Sequence, residues 1–469
     1  MKLGLREKIG YGFGDAASSM FWKLFSMYLM FFYTDIFGIS AAAVGTMFLI
    51  TRIWDAAFDP FVGVLGDRTE TRWGKFRPYL LWVAIPFAII GVLTFTTPSL
   101  GPTGKLIYAY VTYSLMMMIY SMINVPYASL LGVMSVDGKE RTTLATFRFI
   151  LAFAGSLVVL AAAEPLAGAF SRMGSGTPNL QRGWQLTAAV FALMAMVLFW
   201  LTFAWTRERI HPVTEKTSLK HDLTDLMKNK PWFILLGAGV ATIFFNSIRD
   251  GAAIYYFKYY LHTHDAFSLP SLKLTIGWSS LYFVLGQAAN IVGVILAKPI
   301  SDRIGKKNTF FVAMLSATAF SLMVYGLSPE SVTAVLVLQC LISVSAGFVF
   351  PLLWSMYADA ADYSEWKTGR RATGLVFSAS SMSQKFGWTL GGAFAGWLLG
   401  YYGFQANVAQ NANTETGIRM MVSIFPAIGA LMSAAFMLVY PLKEAVLSSI
   451  EGELANRRQA GANAPQAAG

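Results

Sequence analysis

Stretches of about twenty apolar residues recur along nearly the whole of this chain, and that is the length an α-helix needs to cross a hydrocarbon core of roughly 30 Å. Leu80 to Phe95, Leu186 to Phe203 and Ile424 to Tyr440 are apolar on all sides, whereas the strands of an outer-membrane barrel would alternate. The chain is built for a bilayer. Only 13% of its 469 residues are charged, where soluble domains carry about a quarter. Helical spans are read at 12–37, 41–66, 78–97, 105–132, 144–169 and 184–205, then at 231–260, 274–299, 308–327, 331–358, 373–401 and 417–441. The expectation is an all-α membrane protein of twelve transmembrane helices in two six-helix halves, 1–206 and 231–441. The polar stretch 207–230 is the expected linker between halves, and 442–469 a tail expected to be disordered from Asn456 onward, where Ala, Gly and Gln dominate. The first apolar run continues past Phe21 to Phe37 with no small-residue cleavage site, so it is expected to remain as a helix.

Placing the N-terminus inside puts roughly two dozen Lys and Arg in cytoplasmic segments against about six outside, as the positive-inside rule requires. The net charge of +11 has the same origin and implies no nucleic-acid partner. The lone cysteine, Cys340, permits no intramolecular disulfide, and His211, His221, His262 and His264 all lie in loops without metal-ligand spacing. There is no Walker loop and no catalytic constellation, so neither ATP-driven transport nor an enzyme is expected, and no cofactor beyond a coupling ion.

Gly66-Asp67-Arg68 follows the second span, and Ser301-Asp302-Arg303-Ile304-Gly305-Lys306-Lys307 follows the eighth. Equivalent loops six helices apart point to parallel halves with a substrate site between them near the midplane. Charged gate residues are expected at Asp67, Arg68, Arg72, Asp302, Arg303, Asp359, Asp362 and Glu365.

An ionisable side chain in the hydrocarbon costs at least about 2.5 kcal/mol, so those that persist usually face a wet cavity. In the second span, Arg52, Asp55 and Asp59 lie together, and a spacing of four places both carboxylates on one face. Hard oxygens suit an alkali cation, and paired carboxylates equally suit a proton, so the pair does not choose between Na+ and H+; a structural ion pair with Arg52 is the plainer alternative. Ser121 and Asn124 in the fourth span are candidates to complete a cation shell, or are ordinary interhelical glue. Arg148, Asn246, Arg249, Asp250 and Lys385 supply buried polar groups of the kind that grip sugar hydroxyls, and Tyr120, Phe350, Trp354 and Trp22 are stacking candidates or core. Ser381 is a further candidate for the sugar lining, while Lys23 and Glu164 are secondary candidates that could snorkel.

Tyr11-Gly-Phe-Gly14, Tyr33-Thr-Asp35, Arg52-Ile-Trp-Asp55 to Asp59-Pro60, Arg72-Trp-Gly-Lys-Phe-Arg-Pro78 and Ala358-Asp359-Ala-Ala-Asp362-Tyr-Ser-Glu365-Trp-Lys367-Thr-Gly369 carry a resemblance to the glycoside-pentoside-hexuronide:cation symporters, of the melibiose-carrier type and the major-facilitator fold. The resemblance implies that Asp55 and Asp59 bind the coupling Na+ or H+, and that Arg148 and Lys385 stand at a sugar-contacting and a cation-linked position. It also implies departures: Asn124 replaces a third carboxylate, Ser18 and Ser19 replace a lysine and a galactosyl-gripping aspartate, and Ala128 and Phe350 replace pocket tryptophans. A different sugar follows, with pentoside, glucoside and hexuronide all open. The expected function is import of a sugar with a monovalent cation by alternating access, as a monomer in a bacterial inner membrane with both termini cytoplasmic. The rivals are a lysophospholipid carrier of the same superfamily and an integral-membrane transferase or hydrolase.

Overall fold

The computed structural model describes residues 3–135, 138–173, 177–209, 227–263, 265–269, 274–368, 373–442 and 444–462. Its helices are α1 (Leu5–Leu24), α2 (Ala41–Arg68), α3 (Arg77–Trp82), α4 (Ala84–Thr94), α5 (Pro102–Met134), α6 (Gly138–Ser171) and α7 (Leu180–Trp205), then α8 (Lys230–Tyr255), α9 (Trp278–Ile304), α10 (Lys306–Tyr325), α11 (Val332–Thr368), α12 (Thr373–Tyr401), α13 (Ala412–Val422), α14 (Ile424–Val439) and α15 (Glu444–Ala462). They stand where the twelve spans are read, two of those being split. The breaks fall at Val83 and Ser423, each followed three residues on by a proline, Pro86 or Pro426, which cannot donate to the helical ladder.

Eight of the described helices are long and apolar enough to cross a membrane by length and composition alone. The α2 segment carries Arg52, Asp55 and Asp59, which are the residues a transporter would place in a wet interior.

Two departures from the sequence reading concern local structure. Residues Asp265–Leu269 and Leu274–Gly277 form a small antiparallel hairpin, β1 and β2, with Phe267 opposite Ile276 and Leu269 opposite Leu274, so the eighth span begins at Trp278 rather than at 274. The alternating Phe267, Leu269, Leu274 and Ile276 suit a pleat better than a helical face. The second departure is the tail. Helix α15 runs on to Ala462, so the disorder expected from Asn456 does not hold for 456–462. Leu447, Ile450 and Leu454 form a buried stripe at helical spacing, and α15 packs on α11.

The chain forms two compact units. The first comprises 1–214, 250–284 and 392–419. Within it α1 packs on α6 and α7, α2 on α5, and α4 on α5 and α7. Lipid tails are as apolar as leucine, so these contacts depend on close fit rather than on escape from water. Phe21 lies edge-on to Phe87 at 4.7 Å, and Phe95 stacks on Trp184 at 6.2 Å. The second unit comprises 215–249, 285–391 and 420–469, with α10 packed on α11 and α14. Here α9 and α11 cross at Gly293 and Gly347. A β-carbon on Gly347 would lie 2.2 Å from the Asn290 carbonyl oxygen, so only glycine admits the crossing.

Candidate functional site

The first unit gathers a polar cluster inside its apolar helices. Asp55 is buried on α2, its Oδ2 accepting from Arg52 Nη1 at 3.1 Å and its Oδ1 from Ser121 Oγ of α5 at 2.8 Å. Both plain readings of the pair are thus realised, an ion pair with Arg52 and a link between spans two and four. Asp59 lies one turn along α2 and is half-buried. The Arg52 guanidinium lies over the Trp22 ring, 4.7 Å from its centroid.

Asn124 takes the second of its two readings, that of an interhelical link. Its Oδ1 accepts from Ser18 Oγ at 2.6 Å, and its Nδ2 donates to the Tyr120 carbonyl oxygen at 2.9 Å. It therefore ties α5 to α1 and is not hydrogen-bonded to Asp55. Tyr120 sits among rings, 5.8 Å from Trp22 and 6.3 Å from Phe87. Ser19 is half-buried beside Ser18 on α1.

Arg148 reaches from α6 to α1, where its Nε donates to Asp15 Oδ2 at 2.8 Å. Its guanidinium lies 5.3 Å from the Tyr127 ring, which stacks on Tyr11 and donates to the Tyr11 carbonyl oxygen at 2.7 Å. Asp15 is a residue the sequence reading passed over. The available signal was its position directly after Tyr11-Gly-Phe-Gly14, a lone carboxylate within a helix-long apolar run.

In the second unit, Asn246 spends its Nδ2 on the Thr242 carbonyl oxygen at 3.0 Å, and Arg249 is buried with its guanidinium 4.9 Å from the Phe245 ring. Asn246 is thus turned back on its own helix instead of offering its whole amide to a sugar. Trp354 meets Tyr357 edge-on at 6.0 Å, and Phe350 and Lys385 are half-buried. The side chains of Ser381 and Asp67 lie outside the described residues.

The gate residues read from sequence divide. Asp359 accepts from Lys306 Nζ at 2.8 and 2.9 Å, joining α11 to the start of α10, and Asp362 and Glu365 follow half-buried on α11. Asp302 instead pairs with Lys298 one turn back at 2.7 Å, largely in the open, and Arg303 and Arg68 are exposed. Arg72 lies over its neighbour Trp73 at 4.4 Å. At an exposed helix end such charges satisfy themselves one turn apart, where surface pairs add little.

The stronger fasteners are glutamates that sequence reading left in the linker and tail. Glu208 accepts from the backbone N–H groups of Lys75, Phe76 and Arg77, all at 2.8 Å, at the start of α3. Glu444 accepts from the Lys306 N–H at 3.0 Å, at the start of α10. Each carboxylate meets the positive end of a helix dipole just after a glycine with positive φ, Gly74 at 107° and Gly305 at 85°. At the same end Arg209 grips Glu7 with two bonds of 2.5 and 2.9 Å, which raises the arginine above its ordinary value.

The opposite end of the first unit carries another cluster. The first span runs on from α1 through π-helical turns at Phe25–Leu29 and Phe32–Phe37, and α8 finishes in one at Tyr256–Tyr260. The wider turns bring Asp35 against Lys258 Nζ at 2.6 Å and against the Tyr259 hydroxyl, with Thr34 2.8 Å from the Tyr255 hydroxyl. Asn407 closes the set, its Nδ2 donating to the Asp35 carbonyl oxygen at 2.5 Å.

Against known proteins, residues 10–444 match the family model described as MFS/sugar transport protein. The chain is 39% identical to the isoprimeverose transporter of Lactiplantibacillus pentosus, over 92% of this chain and 88% of that one. It is 38% identical to the inner membrane symporter YicJ of Escherichia coli strain K12, over 92% and 90%, and 36% identical to the putative glycoside/cation symporter YagG of the same strain, over 100% and 98%. Among solved structures, the D-xylose-proton symporter superposes with a TM-score of 0.62 at 13% identity, covering 94% of this chain and 97% of that one, which shows a shared fold.

Proposed function

Because the chain belongs to the MFS/sugar transport protein family, and so to a family of membrane transporters, we propose that it imports a neutral glycoside together with a monovalent cation. The observation that carries this reading is the buried Asp55, held by Arg52 and Ser121 with Asp59 one turn away, in a helix otherwise fit for the hydrocarbon. Asp55 and Asp59 supply hard oxygens for Na+ or H+. Cation binding there lowers the cost of closing the protein round a polar sugar, and sugar binding tightens the cation by the same free energy. The relatives named above support a glycoside and an inner-membrane location.

The pairing of Arg148 with Asp15 favours a neutral sugar over a hexuronide, since the guanidinium charge is already met by a carboxylate. On this reading Arg148 and Asp15 act as a donor and acceptor pair for adjacent hydroxyls, with Trp22 and Ser19 on the same helix as Asp15. The charged contacts at Glu208, Asp359 and Glu444 hold the cytoplasmic ends. The relatives named above favour a glycoside over the lysophospholipid and transferase readings.

The test is uptake into proteoliposomes of labelled glycosides, pentosides and uronates, with Na+ and H+ gradients imposed separately. One neutral glycoside should accumulate, its accumulation should collapse with one gradient, and Asp59→Asn should abolish it. Full accumulation by Asp59→Asn would refute the cation assignment.

A further inference from the structure

Glu164 lies inside α6, among the apolar residues of a membrane span, and none of the contacts assigned above uses it. Its Oε2 accepts two hydroxyls from the first turn of α9, Ser279 Oγ at 2.6 Å and Ser280 Oγ at 3.1 Å. Its Oε1 is buried with no hydrogen-bond partner, and among the described residues Glu164 makes no ion pair. Asp35 in the same unit is the useful contrast. That carboxylate has an ammonium at 2.6 Å and a phenol besides. Glu164 has two neutral donors on one oxygen and nothing on the other.

The forces on its charge nearly balance. Two hydroxyl donors and the first turn of a helix stabilise an anion. Removing a carboxylate from water destabilises it, and the orphaned Oε1 adds to that. A group so placed exchanges a proton with small changes around it. Glu164 also lines a cavity of about 400 Å³, which gives a route for that proton. The groups facing it are few. Among the described residues they are Arg172 just after α6, Lys258 in the π turn after α8, the phenol of Tyr28 in the π turn after α1, the two serines of α9, and Trp184 of α7. Neither cation is within ion-pair distance among the described residues.

We infer that Glu164 is a proton-binding site of this protein, separate from Asp55 and Asp59, and that its protonation stabilises the contact between α6 and the start of α9. With the proton on Oε1 the two serine hydroxyls remain on Oε2 and no charge is buried. When the proton leaves, the carboxylate draws water or Arg172 and Lys258 towards it, and the contact loosens. By linkage, acid on the side to which the cavity opens favours the closed contact. The inference goes beyond the transport reading and rests on it only for its second measurement.

The first measurement needs no substrate. Infrared difference spectra of the full-length protein in liposomes, taken between alkaline and acid buffer, should show a carboxylic C=O band that is absent in Glu164→Gln and displaced but present in Glu164→Asp. A band unchanged in Glu164→Gln, or no carboxyl titrating in the parent, overturns the inference. Should Glu164→Gln not fold, Ser279→Ala with Ser280→Ala removes both donors from the carboxylate and should move the band's midpoint to higher pH by a unit or more; an unmoved midpoint also overturns it. The second measurement is sugar counterflow against pH, where Glu164→Gln should flatten the fall at alkaline pH, and a parent-like profile counts against the inference. A band that titrates as expected while no sugar is taken up would count against the transport reading and leave this one standing.

Discussion

Removing the charge of Asp15 gives the sharpest test of how the site handles Arg148. The two groups meet at 2.8 Å, with 28% of the arginine side chain and 14% of the aspartate exposed. At an effective dielectric of 20 the bare attraction at this distance is about 6 kcal/mol, most of it offset by desolvation. A charge-assisted bond nets about 1.5 to 3 kcal/mol, and the widowed guanidinium adds a penalty, so Asp15→Asn should destabilise the protein by about 3 kcal/mol. Arg148→Gln should cost a similar amount, and the double variant little more than either, for a coupling of about 2 kcal/mol. Equilibrium unfolding of the purified protein in mixed micelles reads these values. Transport reads the other half. With Asp15→Asn the positive charge on Arg148 is no longer met, so the ratio of uronate to neutral glycoside affinity should rise about tenfold or more, which is about 1.4 kcal/mol. Single effects that add within about 0.5 kcal/mol, or an unchanged substrate ratio, would refute the pairing as the device that sets the site's charge.

Glu208→Ala deletes three bonds of 2.8 Å at the start of α3 and should cost about 3 kcal/mol, with Glu208→Gln intermediate; unfolding midpoints check the order. Gly74→Ala should be as damaging, because a β-carbon there would lie 2.4 Å from the Glu208 carboxylate carbon on a backbone of φ 107°. Gly347→Ala should destabilise the α9–α11 crossing by at least about 2 kcal/mol, seen as lower thermal stability in detergent. Ile450→Asp should free α15 from α11, making 444–462 sensitive to limited proteolysis while leaving sugar uptake intact.

The hydrophobic rhythm of the sequence was enough to place every span, because in a bilayer each backbone polar group must be satisfied within its own helix. It was enough, too, to single out Asp55, Asp59 and Arg148, since charges in an apolar run are costly wherever the run ends up. Those signals are local. The partners were not: Ser121 meets Asp55 across 66 residues and Asp15 meets Arg148 across 133, separations that no periodicity encodes. Asn124 reads as a cation ligand by its place near the carboxylates, yet packing of α5 on α1 hands its oxygen to Ser18. Glu208 and Glu444 looked like solvated linker charges until the helix ends they cap were brought to them. Composition and spacing thus determined what this chain had to bury and which charges would be costly inside it. Only the tertiary structure decided which donor each charge would find, because a buried polar group is satisfied by whatever the packing of distant helices sets within about 3 Å of it.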